Sequence, residues 1–319
     1  MIKLKKLFAL GALLLPLVAL AAYPEKTIKI VVGFTPGGSA DSIARILGMA
    51  MSSRMGQTVI IENRAGANGN IATEFVSRSA PDGYTLFYTS IGHAVNPALY
   101  KDAKYDPVKD FTPIGQVLSA PNVLVVPASS PFNNVKEMIT YAKDNPCKLD
   151  FASSGSGASV HLSAEVFKQM AGLDLVHIPY KGTGSLLPDL LSGTVAMSFP
   201  NLPSALPFIQ SGKLKALGVT TAKRSAAAPQ IPTLAEAGVP GYVSAGWFGL
   251  LAPGATPAPV VELLQRHVAA ILRLPEIEKH FFEQGAEPVG NSPEEFGRMI
   301  AAELQRWSKV AATVGVKLE

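Results

Sequence analysis

The sequence predicts an α/β protein built on two parallel-rich mixed sheets, and three observations predict it. Short β-branched runs alternate with amphipathic helical stretches along most of the chain, the pattern that strand–helix–strand units produce. Four of the strand-like runs end in small-residue turns that lead straight into a helical pattern. The chain has 319 residues, 48% of them hydrophobic, which is more than one core usually organises, so two domains are expected.

Residues 27–32, Thr-Ile-Lys-Ile-Val-Val, are β-branched and apolar and read as the first strand. A helix comes next, its buried face marked by Ile43, Ile46, Leu47, Ala50 and Met51. Residues 57–62 form a second strand, and 84–89 a third after the turn Pro81-Asp82-Gly83. Pro127 ends a strand over 123–126. Asn134 and Glu137 have the spacing of a capping box and open a helix to about Lys143. Strands over 149–152 and 195–199 flank a helix over 159–170, and 214–219 is a further buried strand. Beyond Pro257 helices dominate. There Ser292-Pro293-Glu294-Glu295 joins an N-cap, a proline at the first helical position and the glutamate of a second capping box.

Residues 1–21 read as a cleavable export signal. Lys3, Lys5 and Lys6 precede an apolar run over 7–20, and Ala19-Leu20-Ala21 offers small residues for cleavage. That run rises only about 21 Å as a helix, too short for a ~30 Å hydrocarbon core. The expectation is a soluble protein outside the cytoplasm without a lipid anchor, since no cysteine directly follows the run. Lys and Arg number 28 against 24 Asp and Glu, a formal charge of +4. Three of those cations lie in the leader, which leaves no clustered basic face for nucleic acid. A single cysteine, Cys147, permits no internal disulfide and reads as a spectator thiol in a turn. His93, His161, His177, His267 and His280 are scattered, no C-x-x-C or H-E-x-x-H occurs, and no metal or cofactor is expected.

The turns at the ends of the strands are the informative feature. The first strand leads into Gly33-Phe34-Thr35-Pro36-Gly37-Gly38-Ser39, and 149–152 leads into Ser153-Ser154-Gly155-Ser156-Gly157-Ala158-Ser159. The third runs into Ser90-Ile91-Gly92-His93, and 195–199 into Pro200-Asn201-Leu202-Pro203-Ser204. Strand, small-residue turn and helix start is the arrangement that aims free N–H groups and a positive dipole end at an anion. One such turn is usually a plain connection, but several in corresponding places on two sheets point to a shared anion site. Enzyme signatures are weaker. There is no complete dinucleotide fingerprint, no phosphate-binding loop and no G-x-S-x-G elbow, so a hydrolase using Ser156 or Ser159 rests on exposure alone.

The chain resembles the periplasmic substrate-binding receptors of tripartite tricarboxylate transporters, the Bug family, from Tyr23-Pro24 to its C-terminus. The motifs that carry the likeness include Pro36-Gly37-Gly38-x-x-Asp41 with Ala44-Arg45, Glu62-Asn63-Arg64-x-Gly66-Ala67 and Pro81-Asp82-Gly83-Tyr84. They continue through Tyr105-Asp106-Pro107, Ser154-x-Gly-x-Gly157 with His161-Leu162, His177-x-Pro179-Tyr180-Lys181-Gly182 and Pro232-Thr233-x-Ala235-Glu236-Ala237-Gly238. The resemblance implies a two-domain clamshell of the type II periplasmic binding class. Its first domain would take residues 22–121 and 246–319, and the inserted second would take 122–245. It further implies a small carboxylate in the cleft and two membrane components of a transporter as partners. The receptor itself would be a monomer without enzymatic activity.

Residue types and resemblance together mark Thr35, Gly37, Gly38 and Ser39 on the first turn as ligand-binding, with Ser90 and His93 on the third strand's turn. On the inserted domain they mark Ser154, Gly155, Gly157, Ser159 and His161, then Tyr180, Phe199 and Asn201. Trp247 and Phe248 border the second crossing and read as pocket walls or core. Asp41 conflicts with an anionic ligand and reads as a brace of its own turn. His161 reads equally as a donor to a carboxylate or as a structural histidine. Two departures from the family pattern bear on specificity: Thr35 replaces a frequent proline, and Pro200-Asn201 stands where an acidic residue is common. Without that acid a ligand ammonium would be buried unpaired, so a di- or tricarboxylate or an aromatic acid is favoured over an amino acid. A sensor that docks a signalling kinase would bind ligand in the same way and is the alternative among binding proteins.

Overall fold

The computed structural model describes residues 23–100, 103–283 and 285–314, and the expected leader over 1–21 lies outside them. The first lobe begins with β1 Ile28–Val32, α1 Ser39–Met55, β2 Val59–Asn63, α2 Asn70–Ser77, β3 Thr85–Ser90, α3 Gly92–Leu99 and β4 Phe111–Ala120. The chain then enters the second lobe with β5 Val123–Pro127, α4 Val135–Asp144, β6 Asp150–Ser153, α5 Ser159–Ala171, β7 Val176–Pro179 and α6 Thr183–Ser192. That lobe ends with β8 Met197–Ser198, α7 Leu202–Gln210, β9 Leu214–Val219 and α8 Leu234–Ala237. The return supplies β10 Gly246–Pro253, α9 Ala258–Leu272, α10 Pro275–Glu283, β11 Glu287–Pro288 and α11 Pro293–Val314.

Both sheets are mixed. The first has the order β11-β4-β10-β3-β1-β2 and the second β7-β6-β8-β5-β9. Pairs β1–β2, β1–β3, β6–β7 and β6–β8 are parallel, as strand–helix–strand units require. The strands next to the crossings, β4, β5, β9 and β10, run antiparallel to their neighbours. The apolar stretch Ile30-Val31-Val32 of β1 has a simple cause, because helices cover both faces of its sheet. Ile30 and Val32 join the core under α1 and α9, while Val31 joins the one under α2, α3 and α11. The second sheet is covered likewise, with Phe151 and Phe167 on one face and Leu186, Leu190 and Leu206 on the other.

The crossings lie side by side. Asn122 N–H donates to Thr220 Oγ1 (2.9 Å), Thr220 N–H to the Asn122 carbonyl (2.9 Å), and Ser244 N–H to the Thr220 carbonyl (2.8 Å). Both capping boxes hold their helix starts: Glu137 N–H donates to Asn134 Oδ1 and Glu295 N–H to Ser292 Oγ. The sequence does not announce long β4 and β10. Each contains glycine and proline, and a register shift lies between Leu250 and Leu251, where Pro113 pairs.

Candidate functional site

The turn after β1 is set by backbone needs before any ligand is considered. Gly37 has φ +86°, a left-handed conformation that favours glycine. Its N–H donates to Asp41 Oδ2 at 3.1 Å, and Asp41 also accepts from Arg45 Nε (3.0 Å) and Asn63 Nδ2 (2.9 Å). Burial opposes ionisation of Asp41, but Arg45, Gly37 and Asn63 outweigh it and hold its pKa below the usual range. Asp41 is therefore the brace of the turn. In the first turn of α1, Ser39 N–H donates to Ser204 Oγ (2.9 Å) and Ser39 Oγ to Asn201 Oδ1 (3.2 Å), both on the second lobe.

The turn after β6 is braced in the same way. Gly155 N–H donates to Ser153 Oγ (3.2 Å) and Gly157 N–H to His161 Nδ1 (3.0 Å). Accepting at Nδ1 places the neutral ring's proton on Nε2, which stands 3.7 Å from Glu165 Oε1. Burial first, then His177 and Lys168, push the His161 pKa down to about 3, so that contact is not an ion pair. His161 thus holds its own loop. Its ring keeps no free lone pair with which to activate Ser156 or Ser159.

Between the turns lies a cavity of about 20 Å³ lined by Phe34, Gly38, Ser39, Ala40, Ser90, Ser154, Ala158, Ser159, Thr183, Asn201 and Phe248. Ser39, Ser159 and Thr183 each open a helix, α1, α5 and α6, so three N-termini converge from two lobes. First-turn N–H groups lack helical acceptors by position. Among the described residues no charged side chain lines the cavity. Its polarity comes from backbone dipoles, five hydroxyl groups and the Asn201 amide, with Phe34 and Phe248 as apolar walls. Phe248 stacks on Tyr88 at 5.6 Å. A larger groove of about 810 Å³, along α2 and Tyr100, draws its lining from the first lobe alone.

Seven of the expected residues meet there: Gly38, Ser39, Ser90, Ser154, Ser159, Asn201 and Phe248. The others do not line it. The N–H groups of Gly37, Gly155 and Gly157 are spent within their turns. Thr35 sits at the lobe contact, its N–H donating to the Lys181 carbonyl (3.3 Å) and its buried hydroxyl unpartnered. His93 is fully enclosed, its Nε2 donating to the Pro107 carbonyl (2.9 Å) and its ring edge-on to Phe111. Tyr180 gives its hydroxyl to Asp189 Oδ2 (2.6 Å). Phe199 is core beside Phe167, and Trp247 packs edge-on against Phe296. Alternation along β10 puts Trp247 on the face opposite Phe248. Sequence reasoning misses Phe34, Ala40, Ala158 and Thr183. A usable signal exists for Thr183: strand 176–179, a glycine and a helix start repeat the pattern of the other turns.

The same architecture occurs in proteins already known. The model of the tripartite tricarboxylate transporter family receptor matches residues 43–316. The solved periplasmic binding protein BugD is 36% identical, with a TM-score of 0.89 over 93% of this chain and 100% of that one. Rpa4515 of R. palustris, solved with adipate, is 41% identical, with a TM-score of 0.89 over 92% of this chain and 98% of its own. MatC of Rhodopseudomonas palustris, solved with bound malate, is 32% identical, with a TM-score of 0.86 over 90% and 99%. The two-lobed architecture is that of these periplasmic binding proteins.

Proposed function

The chain belongs to the tripartite tricarboxylate transporter receptor family, and we propose that it captures a small carboxylate lacking an ammonium group in the cleft between its lobes. The observation that carries this reading is the convergence of three helix N-termini and five hydroxyls on a cavity without a charged side chain. Such a site stabilises an anion through fixed dipoles and hydrogen bonds. It offers an ammonium no counter-charge, and an unpaired buried charge is expensive. Adipate in Rpa4515 and malate in MatC, both diacids without an amine, fit the same chemistry. We place the lobe boundaries at 121/122 and 245/246, assign residues 1–21 to export into the periplasm, and assign delivery of the acid to the membrane components of a transporter.

A thermal-shift panel of dicarboxylates, tricarboxylates, aromatic acids, acidic amino acids, sugars and polyamines tests this. A ligand at about 1,000 times its Kd stabilises the fold by roughly 4 kcal/mol. At about 2–4 °C per kcal/mol, the true ligand raises Tm by roughly 8–16 °C. Amine-free carboxylates give the large shifts, and the amide of the best acid loses most of its effect. A sugar, a polyamine or an amino acid at the head of the panel defeats the reading.

A further inference from the structure

We propose that Asn68 is a positioning residue of the cleft: a pin on the first lobe that seats the Gly155-Ser156-Gly157 turn of the second when the lobes close. The inference rests on the reading of the cleft as the ligand site. Asn68 lies in the turn between β2 and α2, where it and Ala67 adopt left-handed φ values of +50° and +45°. Asparagine tolerates that region better than most residues, and Asn68 is 7% exposed although Ala67 beside it is exposed.

Three glycines clear space for this one side chain. A Cβ at Gly92 would lie 2.6 Å from Asn68 Nδ2, and one at Gly157 would lie 3.1 Å from the same atom. A Cβ at Gly155 would lie 3.4 Å from Asn68 Oδ1. Gly92 belongs to the first lobe, Gly155 and Gly157 to the second, so the asparagine fills a socket with walls from both. Its base is fixed. Nδ2 donates to Asn96 Oδ1 (2.8 Å), and Asn96 Nδ2 donates back to the Asn68 carbonyl (3.0 Å) and to Asn70 Oδ1 (2.7 Å). Asn68 Oδ1 is buried without a partner on the side that meets Gly155. Beside the pin, Tyr100 donates its hydroxyl to the Ser156 carbonyl (3.0 Å), and Leu99 closes on Gly157. The seated turn leads directly into Ser159 and the N-terminus of α5, one wall of the cavity. Seating it fixes where those N–H groups point.

The test labels exposed Cys147 on the second lobe and a cysteine introduced at Met49, 67% exposed on α1, for single-molecule energy transfer. The closed fraction is read without ligand and along a titration with the acid that gives the wild type its largest thermal shift. Asn68→Gly removes the pin and suits the left-handed backbone; losing the buried bond to Asn96 lowers the unliganded Tm by a few degrees, and the fold holds. We expect a smaller closed fraction and about 10-fold weaker binding by calorimetry. Tyr100→Phe, which removes only the neighbouring hydrogen bond, shifts both in the same direction by about threefold, roughly the worth of one such bond. If both variants close and bind like the wild type, or if the wild type never closes, the pin is wrong. If the wild type closes but binds none of the acids, the ligand reading fails instead, and the unliganded closed fractions of the variants decide the pin alone.

Discussion

His93 shows how a residue that invites a functional reading is consumed by the fold. On the sequence it comes after a small-residue turn and could donate to an anion; the Pro107 carbonyl that takes its Nε2 proton lies 14 residues away, and nothing local announces it. Burial pushes its pKa down to about 4, with the Pro107 hydrogen bond opposing only in part. In the unfolded chain the same group titrates near 6.5. The folded pKa is depressed, so the unfolded state binds the proton more readily throughout the window between. The stability His93 contributes is complete above pH ~6.5 and is lost as pH falls towards 4, by roughly 3 kcal/mol in all. His177, pushed to about 4 by burial and then Lys168, acts in the same sense. Melting temperatures from pH 7 to 5 therefore fall for the wild type ahead of most carboxylate titration. They fall less steeply for His93→Gln, whose amide can still donate to Pro107. Equal slopes would assign the acid sensitivity to other groups.

The helix N-terminus is the element that makes the site, and α6 gives the sharpest handle on it. A Cβ at Gly184, in its first turn, would stand 2.3 Å from the Pro36 carbonyl oxygen and 3.2 Å from Gly38 N, both backbone atoms of the other lobe. Gly184 has no positive φ, so alanine suits the helix itself and improves its intrinsic propensity by up to ~1 kcal/mol. Gly184→Ala should leave Tm unchanged or slightly higher and weaken the ligand, because only the closed arrangement brings the new methyl against Pro36. Calorimetry with the best acid checks this, and unaltered affinity would show that the two turns do not approach so closely in the bound state. Elements of this kind are readable because strand, glycine and helix start are contiguous in sequence: α1 and α5 show that pattern, and Thr183 obeys it too. β4 and β10 are not readable. Gly249 is needed there because a Cβ would lie 2.1 Å from the Phe296 ring, a contact 47 positions away. Pro113 is tolerated because β11 reaches only Leu118 and Ser119, leaving that part of β4 without a second neighbour. Both signals resemble breakers until the partners are in place.

At the scale of the molecule the lobes meet through neutral contacts. Thr35 to Lys181, Ser39 to Ser204 and Asn201, and Tyr100 to Ser156 are hydrogen bonds between uncharged groups. Among the described residues no ion pair joins the lobes. Each such bond is worth about 0.5–1.5 kcal/mol net, and opening returns its groups to water. Those bonds are offset by the freedom of movement that the lobes lose on closing, so closure without ligand is only weakly held, whereas a ligand with a micromolar Kd contributes about 8 kcal/mol. The ligand therefore decides the balance between open and closed forms, provided that its contacts come from both lobes. The cavity supports the same conclusion, since about 20 Å³ holds little more than one water, so the lobes must part for a diacid to enter and must close on it less tightly than here. Small-angle scattering should then show a radius of gyration that contracts towards about 20 Å, the value for a compact chain of this length, when the acid is saturating. With only neutral groups at the contact, raising salt from 0.05 to about 0.5 M should leave that contraction intact, because screening acts on charges. Profiles that coincide with and without a ligand whose binding is established by calorimetry would mean that the lobes do not move as a clamshell, and the acid would have to reach its three helix N-termini by another route.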